Sequence, residues 1–227
     1  MKYFLIIVGT IIVLLFLGHR YVNSKLISSQ ERAFEQLAST RIQESPRRFP
    51  DSLKLSDSIF WKLIKASKAK HPDNFDFQME YLTEQLSKLP NEQIVGFEMT
   101  VREKVIELWD YNIKSLYQII YGDYVSTDVF IYFRFWIVSN GEEFYRIALR
   151  ETDELAELVN SNDDGEGLLY VADNAYLIRN GNSSGIELPR DQSFDVDYDF
   201  GNYKMTGTYI EPDDFEMEFP KLTAKFW

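Results

Sequence analysis

Cysteine is absent from the 227 residues, which removes disulfide frameworks, thiol catalysis, cysteine-ligated zinc and lipoprotein processing together. Only two histidines occur, His19 and His71. A zinc site draws on several ligands. A Ser-His-Asp triad needs an imidazole oriented by a carboxylate and aimed at a nucleophile. His71, followed by Pro72 in a polar connection, suits neither. No P-loop and no GxGxxG is present; Gly165-Glu166-Gly167 is too short to cradle a phosphate, and its acidic neighbours repel one. Basic charge is scarce too. All 36 acidic residues lie beyond residue 25, against 21 of the 24 basic ones, which leaves that portion near −15. Such a surface repels nucleic acid and anionic lipid and favours cations or a basic protein partner. Neither nucleotide nor nucleic acid is expected as a partner, and no cofactor is called for.

What the chain does have is a hydrophobic start. Tyr3 to Gly18 carries no charge, and sixteen residues rise about 24 Å as a helix. Lys2 on one side and His19, Arg20 and Tyr21 on the other bridge the remaining distance across a hydrocarbon core. A soluble core helix would be apolar along one stripe rather than all round. A cleaved leader would end at small residues, whereas this run ends in Leu17-Gly18-His19-Arg20-Tyr21. The expectation is a single-span anchor over 1–22. Arg20, Lys25 and Arg32 outnumber the basic groups before the run and favour the cytoplasmic side for the larger part.

The pattern predicts a mainly α protein. A polar stalk and linker over 23–56 is broken at Ser45-Pro46-Arg47-Arg48-Phe49-Pro50. A compact helical domain spans 57–181, and a less regular acidic region spans 182–227. Within the domain, Ser56-Asp57-Ser58 starts a helix and Asn74 caps the next. Ile94, Phe97, Val101, Val105 and Leu108 form the clearest amphipathic stripe. Gly122 suits a left-handed stop after Tyr111–Tyr121. An aromatic helix follows over Val129–Ser139, then helices over Glu142–Arg150 and from Gly167 to Arg179. The region around Tyr203–Ile210 is expected to hold a short β-hairpin, and Leu222, Phe226 and Trp227 to dock the C-terminus.

Several segments resemble a bacterial family, the domain of unknown function numbered 4240. They are Phe60-Trp61-Lys62-Leu63-Ile64, Leu89-Pro90-Asn91-Glu92-Gln93-Ile94-Val95-Gly96-Phe97-Glu98, Leu108-Trp109-Asp110 and Phe133-Arg134-Phe135-Trp136-Ile137-Val138-Ser139-Asn140-Gly141. Leu169-Tyr170-Val171-Ala172 and the final Phe219-Pro220-Lys221-Leu222 extend the likeness, which covers about 58–180 and the last fifteen residues. It implies a helical domain and no assigned activity. Tyr121-Gly122-Asp123-Tyr124-Val125-Ser126 departs from the glycine- and cysteine-containing turn of the family.

Candidate sites follow from charge and aromatics. Asp195-Val196-Asp197-Tyr198-Asp199 begins like a calcium loop, but Phe200 and Thr206 stand where an EF-hand needs Gly and Glu. Asp213 and Asp214 add a second acidic patch. The large aromatics of this helix read first as core packing; a helix apolar on more than one face instead leaves a groove, with Trp109, Tyr111, Tyr124 and Phe135 as anchors. These aromatics, with Asp195, Asp197, Asp199, Asp213 and Asp214, are the expected contacts for a basic protein partner in a regulatory, inhibitory or immunity-like module. The rival expectation is an enzyme using Glu98, Glu103, Glu107 and Asp110, with or without a divalent cation.

Overall fold

The computed structural model describes residues 48–122, 125–159, 164–181, 185–194, 196 and 204–227. The expected anchor, the stalk up to residue 47, Tyr124 and the acids Asp195, Asp197 and Asp199 lie outside the described residues. Among the described residues the structure is mainly helical, and no helix is long and apolar enough to cross a membrane.

Local signals place the helices. α1 (Asp57–Lys70) starts after Ser56. α2 (Phe75–Ser87) is capped by Asn74, whose Oδ1 accepts from the Phe77 N–H at 2.9 Å. α3 (Asn91–Glu107) starts after Pro90. α4 (Tyr111–Tyr121) is capped by Asp110, which accepts from the Asn112 N–H at 2.8 Å, and it stops at Gly122 in the left-handed region. α5 (Thr127–Ser139) is capped by Ser126, and α6 (Glu142–Arg150) follows Gly141. Each capping oxygen satisfies a first-turn N–H that the helix itself leaves unpaired. A 3-10 segment spans Thr152–Glu157. A second, Glu166–Tyr170, leads into α7 (Val171–Asn180), so the helix expected from Gly167 opens as 3-10. α8 (Pro189–Gln192), a 3-10 turn (Pro212–Asp214), α9 (Phe215–Glu218) and α10 (Pro220–Phe226) complete the described elements.

α3 is the axis of the molecule. Its apolar stripe predicts one buried face, yet Glu98, Met99, Thr100, Arg102, Glu103 and Ile106 are buried as well. α5, α7, α8 and α1 all pack against it, and α2 lies between α1 and α7. Residues 48–55, read as the end of a linker, cover a further side. The Leu55 N–H donates to the Gly96 carbonyl at 3.0 Å, and Thr100 Oγ1 reaches the Leu55 carbonyl at 3.0 Å. A Cβ at position 96 would sit 2.8 Å from Leu55 N and 2.9 Å from Leu53 O. Glycine is therefore what lets this backbone lie directly on α3.

No hairpin forms in the described part of Tyr203–Ile210, and among the described residues there is no strand. Thr206 instead makes an isolated parallel bridge with Asp110. The Tyr111 N–H donates to Thr206 O at 3.1 Å, and the Thr206 N–H to Trp109 O at 3.0 Å. The start of α4 meets backbone groups that a hairpin would pair with its own returning strand. The C-terminal segments share the core of α1–α7 through Val196, Met205, Phe215, Phe219 and Leu222. Asp153 caps α10 across the chain, accepting from Lys221 N at 3.0 Å and Leu222 N at 2.9 Å. Lys225 Nζ donates to the carbonyls of Ala156 and Val159, at 2.6 and 2.8 Å.

Candidate functional site

The four carboxylates at α3 and its end take separate partners. Glu98 accepts from Arg102 Nε at 2.9 Å. Glu103 accepts from the Phe49 N–H at 3.0 Å and from Lys54 Nζ at 2.7 Å, which fastens the 48–55 segment. Glu107 accepts from the Tyr145 hydroxyl at 2.6 Å. Burial, reinforced by the Glu107 charge, pushes that phenol upward from its ordinary value, so it stays a donor. Asp110 caps α4 and accepts from Thr206 Oγ1 at 2.7 Å. Each group is satisfied by a different part of the chain. Among the described residues no group of three or more potential metal ligands comes together.

Glu98 and Arg102 form a buried ion pair, their side chains 3% and 5% exposed. Arg102 also donates to the Val196 carbonyl at 2.8 Å and the Arg190 carbonyl at 3.1 Å. Arg190 in turn donates through Nε to Asp173 at 3.1 Å, and its own N–H meets the other Asp173 oxygen at 3.1 Å. This chain of charges ties α3 to α7 and α8. Burial pushes the Glu98 carboxyl up, and the adjacent Arg102 charge opposes that rise. The i,i+4 spacing of Glu98 and Arg102 was a legible signal. The Asp173–Arg190 pair, seventeen residues apart, carried none.

The expected aromatic anchors divide. Trp109 and Phe135 are core residues, which corrects the expectation that they rim a groove. The second apolar face of α5 is covered by the turn entering Glu166–Tyr170. Gly165 lies so close that a Cβ there would collide with the Tyr132 carbonyl oxygen and the Trp136 nitrogen. Arg134, fully buried on α5, places its guanidinium 5.0 Å from the Trp109 ring centroid and donates to Val105 O at 3.1 Å. Tyr111 is half-buried, edge-on to Tyr209 at 5.7 Å. Asp213 and Asp214 are exposed on the turn before α9.

A groove of about 730 Å³ runs between α2 and α7. Met79 and Leu177 contribute apolar wall, and the exposed Ile178 and Tyr170 stand at its edge, with Ile178 63% accessible. Asp76 and Glu80 supply negative charge along α2. The Tyr170 hydroxyl donates to Glu166 at 2.9 Å, and the Arg190 guanidinium lies 5.1 Å from its ring centroid. That hydrogen bond, with a smaller effect of burial, shifts the phenol upward. The signal for this groove was Asp76, Met79, Glu80 and Thr83 at i, i+3, i+4 and i+7, which mixes acid and apolar residues on one helix face.

Residues 55–177 match the model of a family described as "Protein of unknown function (DUF4240)". The match opens at Leu55, where the chain docks on α3, and closes within α7. No curated protein and no solved structure matches the chain.

Proposed function

The chain belongs to the family described as Protein of unknown function (DUF4240), and from that premise we propose that it is a membrane-tethered protein-binding module. The α2–α7 groove receives a basic, partly apolar segment of a partner protein, and the module regulates or inhibits that partner. The observation that carries this reading is the juxtaposition of an exposed Ile178 and Tyr170 with Asp76 and Glu80 in one groove. Apolar side chains give contact area and an anchor, while the acids select a cationic partner and speed its approach. The uncharged run Tyr3–Gly18 supplies the tether, and the basic residues after it favour the cytoplasmic side.

The test is site-specific photo-crosslinking of the full chain in its native membrane, with a benzophenone amino acid in place of Ile178. The expected result is a crosslinked protein whose yield falls as salt rises and falls again with Asp76→Lys and Glu80→Lys. A crosslink indifferent to both, or none at all, overturns the reading. Protease access from each side of the membrane tests the tether and its orientation.

A further inference from the structure

On a chain with 36 acidic and 24 basic residues, the four lysines of α1, Lys62, Lys65, Lys68 and Lys70, form no ion pair among the described residues. Lys62, Lys65 and Lys68 follow one another at three-residue steps on α1 and line a trough of about 910 Å³ between α1 and the start of α6. Among the described residues none of the three forms an ion pair, whereas Lys54, Lys88, Lys104 and Lys221 all do. Lys62 and Lys65 are exposed and Lys68 is half-buried. The trough shares no lining residue with the α2–α7 groove, and it sets four basic residues against three acids where the groove has Asp76 and Glu80 and no basic residue.

Its second wall, the start of α6, carries charges of both signs through Glu142, Glu143 and Arg146. α6 begins at Glu142 after Gly141, with no side-chain cap on its first turn, and Asn140, Gly141 and Glu142 line the trough. Glu142 and Glu143 offset the positive end of that helix dipole, so the positive character of the trough rests on the three lysines of α1. Arg146 lines it too but is held by Glu142.

We infer that this trough is a second docking site and that its occupant is an extended acidic segment of a partner protein. Three ammonium groups strung over about 9 Å of helix axis match carboxylates spaced along a chain better than they match one compact anion. A phosphate needs its donors to converge. Asp57, Glu142 and Glu143, which also line the trough, repel a dense dianion, while a peptide can place its carboxylates away from them. The chain's overall negative charge does not forbid this, because remote acids are screened beyond about 8 Å at physiological ionic strength. The inference goes beyond the proposed function and can fail without it.

The experiment uses the full chain in neutral detergent and a fluorescein-labelled twelve-residue polyglutamate peptide, read by fluorescence anisotropy at low and physiological salt. The wild type is expected to bind, more weakly as salt rises. K62E/K65E/K68E is expected to bind at least roughly tenfold more weakly with an unchanged thermal transition. Lys88→Glu, which alters a lysine outside the trough, is expected to bind as the wild type does. Equal binding by the triple variant overturns the inference, as does an absence of peptide binding. Displacement of the peptide by equimolar inorganic pyrophosphate or dioctanoyl-phosphatidylglycerol also overturns it, since the site would then prefer a compact phosphate or a lipid headgroup.

Discussion

Arg102→Met takes a guanidinium out of the interior and leaves Glu98 buried beside an apolar side chain. The two side chains are 5% and 3% exposed, so solvent does little to screen the loss. Methionine keeps much of the volume, which limits any cavity. What is lost is the ion pair at 2.9 Å and the donors to Val196 O and Arg190 O. Removing one partner of a buried pair costs about 3–5 kcal/mol, a fall in Tm on the order of 10 °C for a chain of this size. The pH dependence gives a sharper check. Burial already raises the Glu98 carboxyl above its ordinary 4.5, and Arg102 restrains it; without Arg102 it climbs further. A carboxyl raised in the folded state holds a proton that the unfolded chain has released. Stability is therefore lost as pH rises from about 4.5 towards the raised value and regained as pH falls. Urea unfolding of the full chain in neutral detergent, followed by tryptophan fluorescence, should show the Arg102→Met deficit shrinking from pH 7 to pH 5. E98Q/R102M should recover roughly half of the pH 7 deficit, since no buried charge remains. A deficit below about 1 kcal/mol at pH 7, or one that does not change with pH, would refute the account of this pair.

Gly96→Ala pushes a Cβ into the backbone of residues 53–55 and should destabilise by about 1–3 kcal/mol in the same urea assay. A chain beginning at Ser56 loses Leu55 from the core and both donors to Glu103. It should unfold at lower urea than one beginning at Arg48, by about 2 kcal/mol or more, and equal midpoints would show that 48–55 adds nothing. Asp153→Ala removes the cap of α10 and should cost about 1 kcal/mol, with faster amide exchange in 220–226 as the local readout.

Much of the helical order was legible because short-range chemistry sets it. Asn74, Asp110 and Ser126 are capping residues one position before their helices, and Gly122 ends α4. The hairpin was misread because Gly, Thr and Asn mark turns without saying where the neighbouring backbone will bond. Here Thr206 bonds to the start of α4, about a hundred residues away. Core and groove rim both stayed open for Trp109 and Phe135, because periodicity shows that a helix is apolar on two sides, not that Gly165 will bring a turn down on the second. The candidate grooves were legible only as helix faces of mixed character, since each needs a wall from a distant element.

By itself, then, the sequence determined the helical class, the boundaries of most helices, the acidic balance and the uncharged run at the start. Those follow from composition and from contacts within a few residues. Tertiary structure alone decided that α3 is a buried axis rather than an amphipathic surface helix. The sequence places Glu98, Arg102 and Glu103 on one helix without saying which way they face, and only partners at 49, 54, 190 and 196 make them interior groups. A charge is affordable in the core when its partner is present, and that partner is chosen by the fold rather than by the neighbouring sequence.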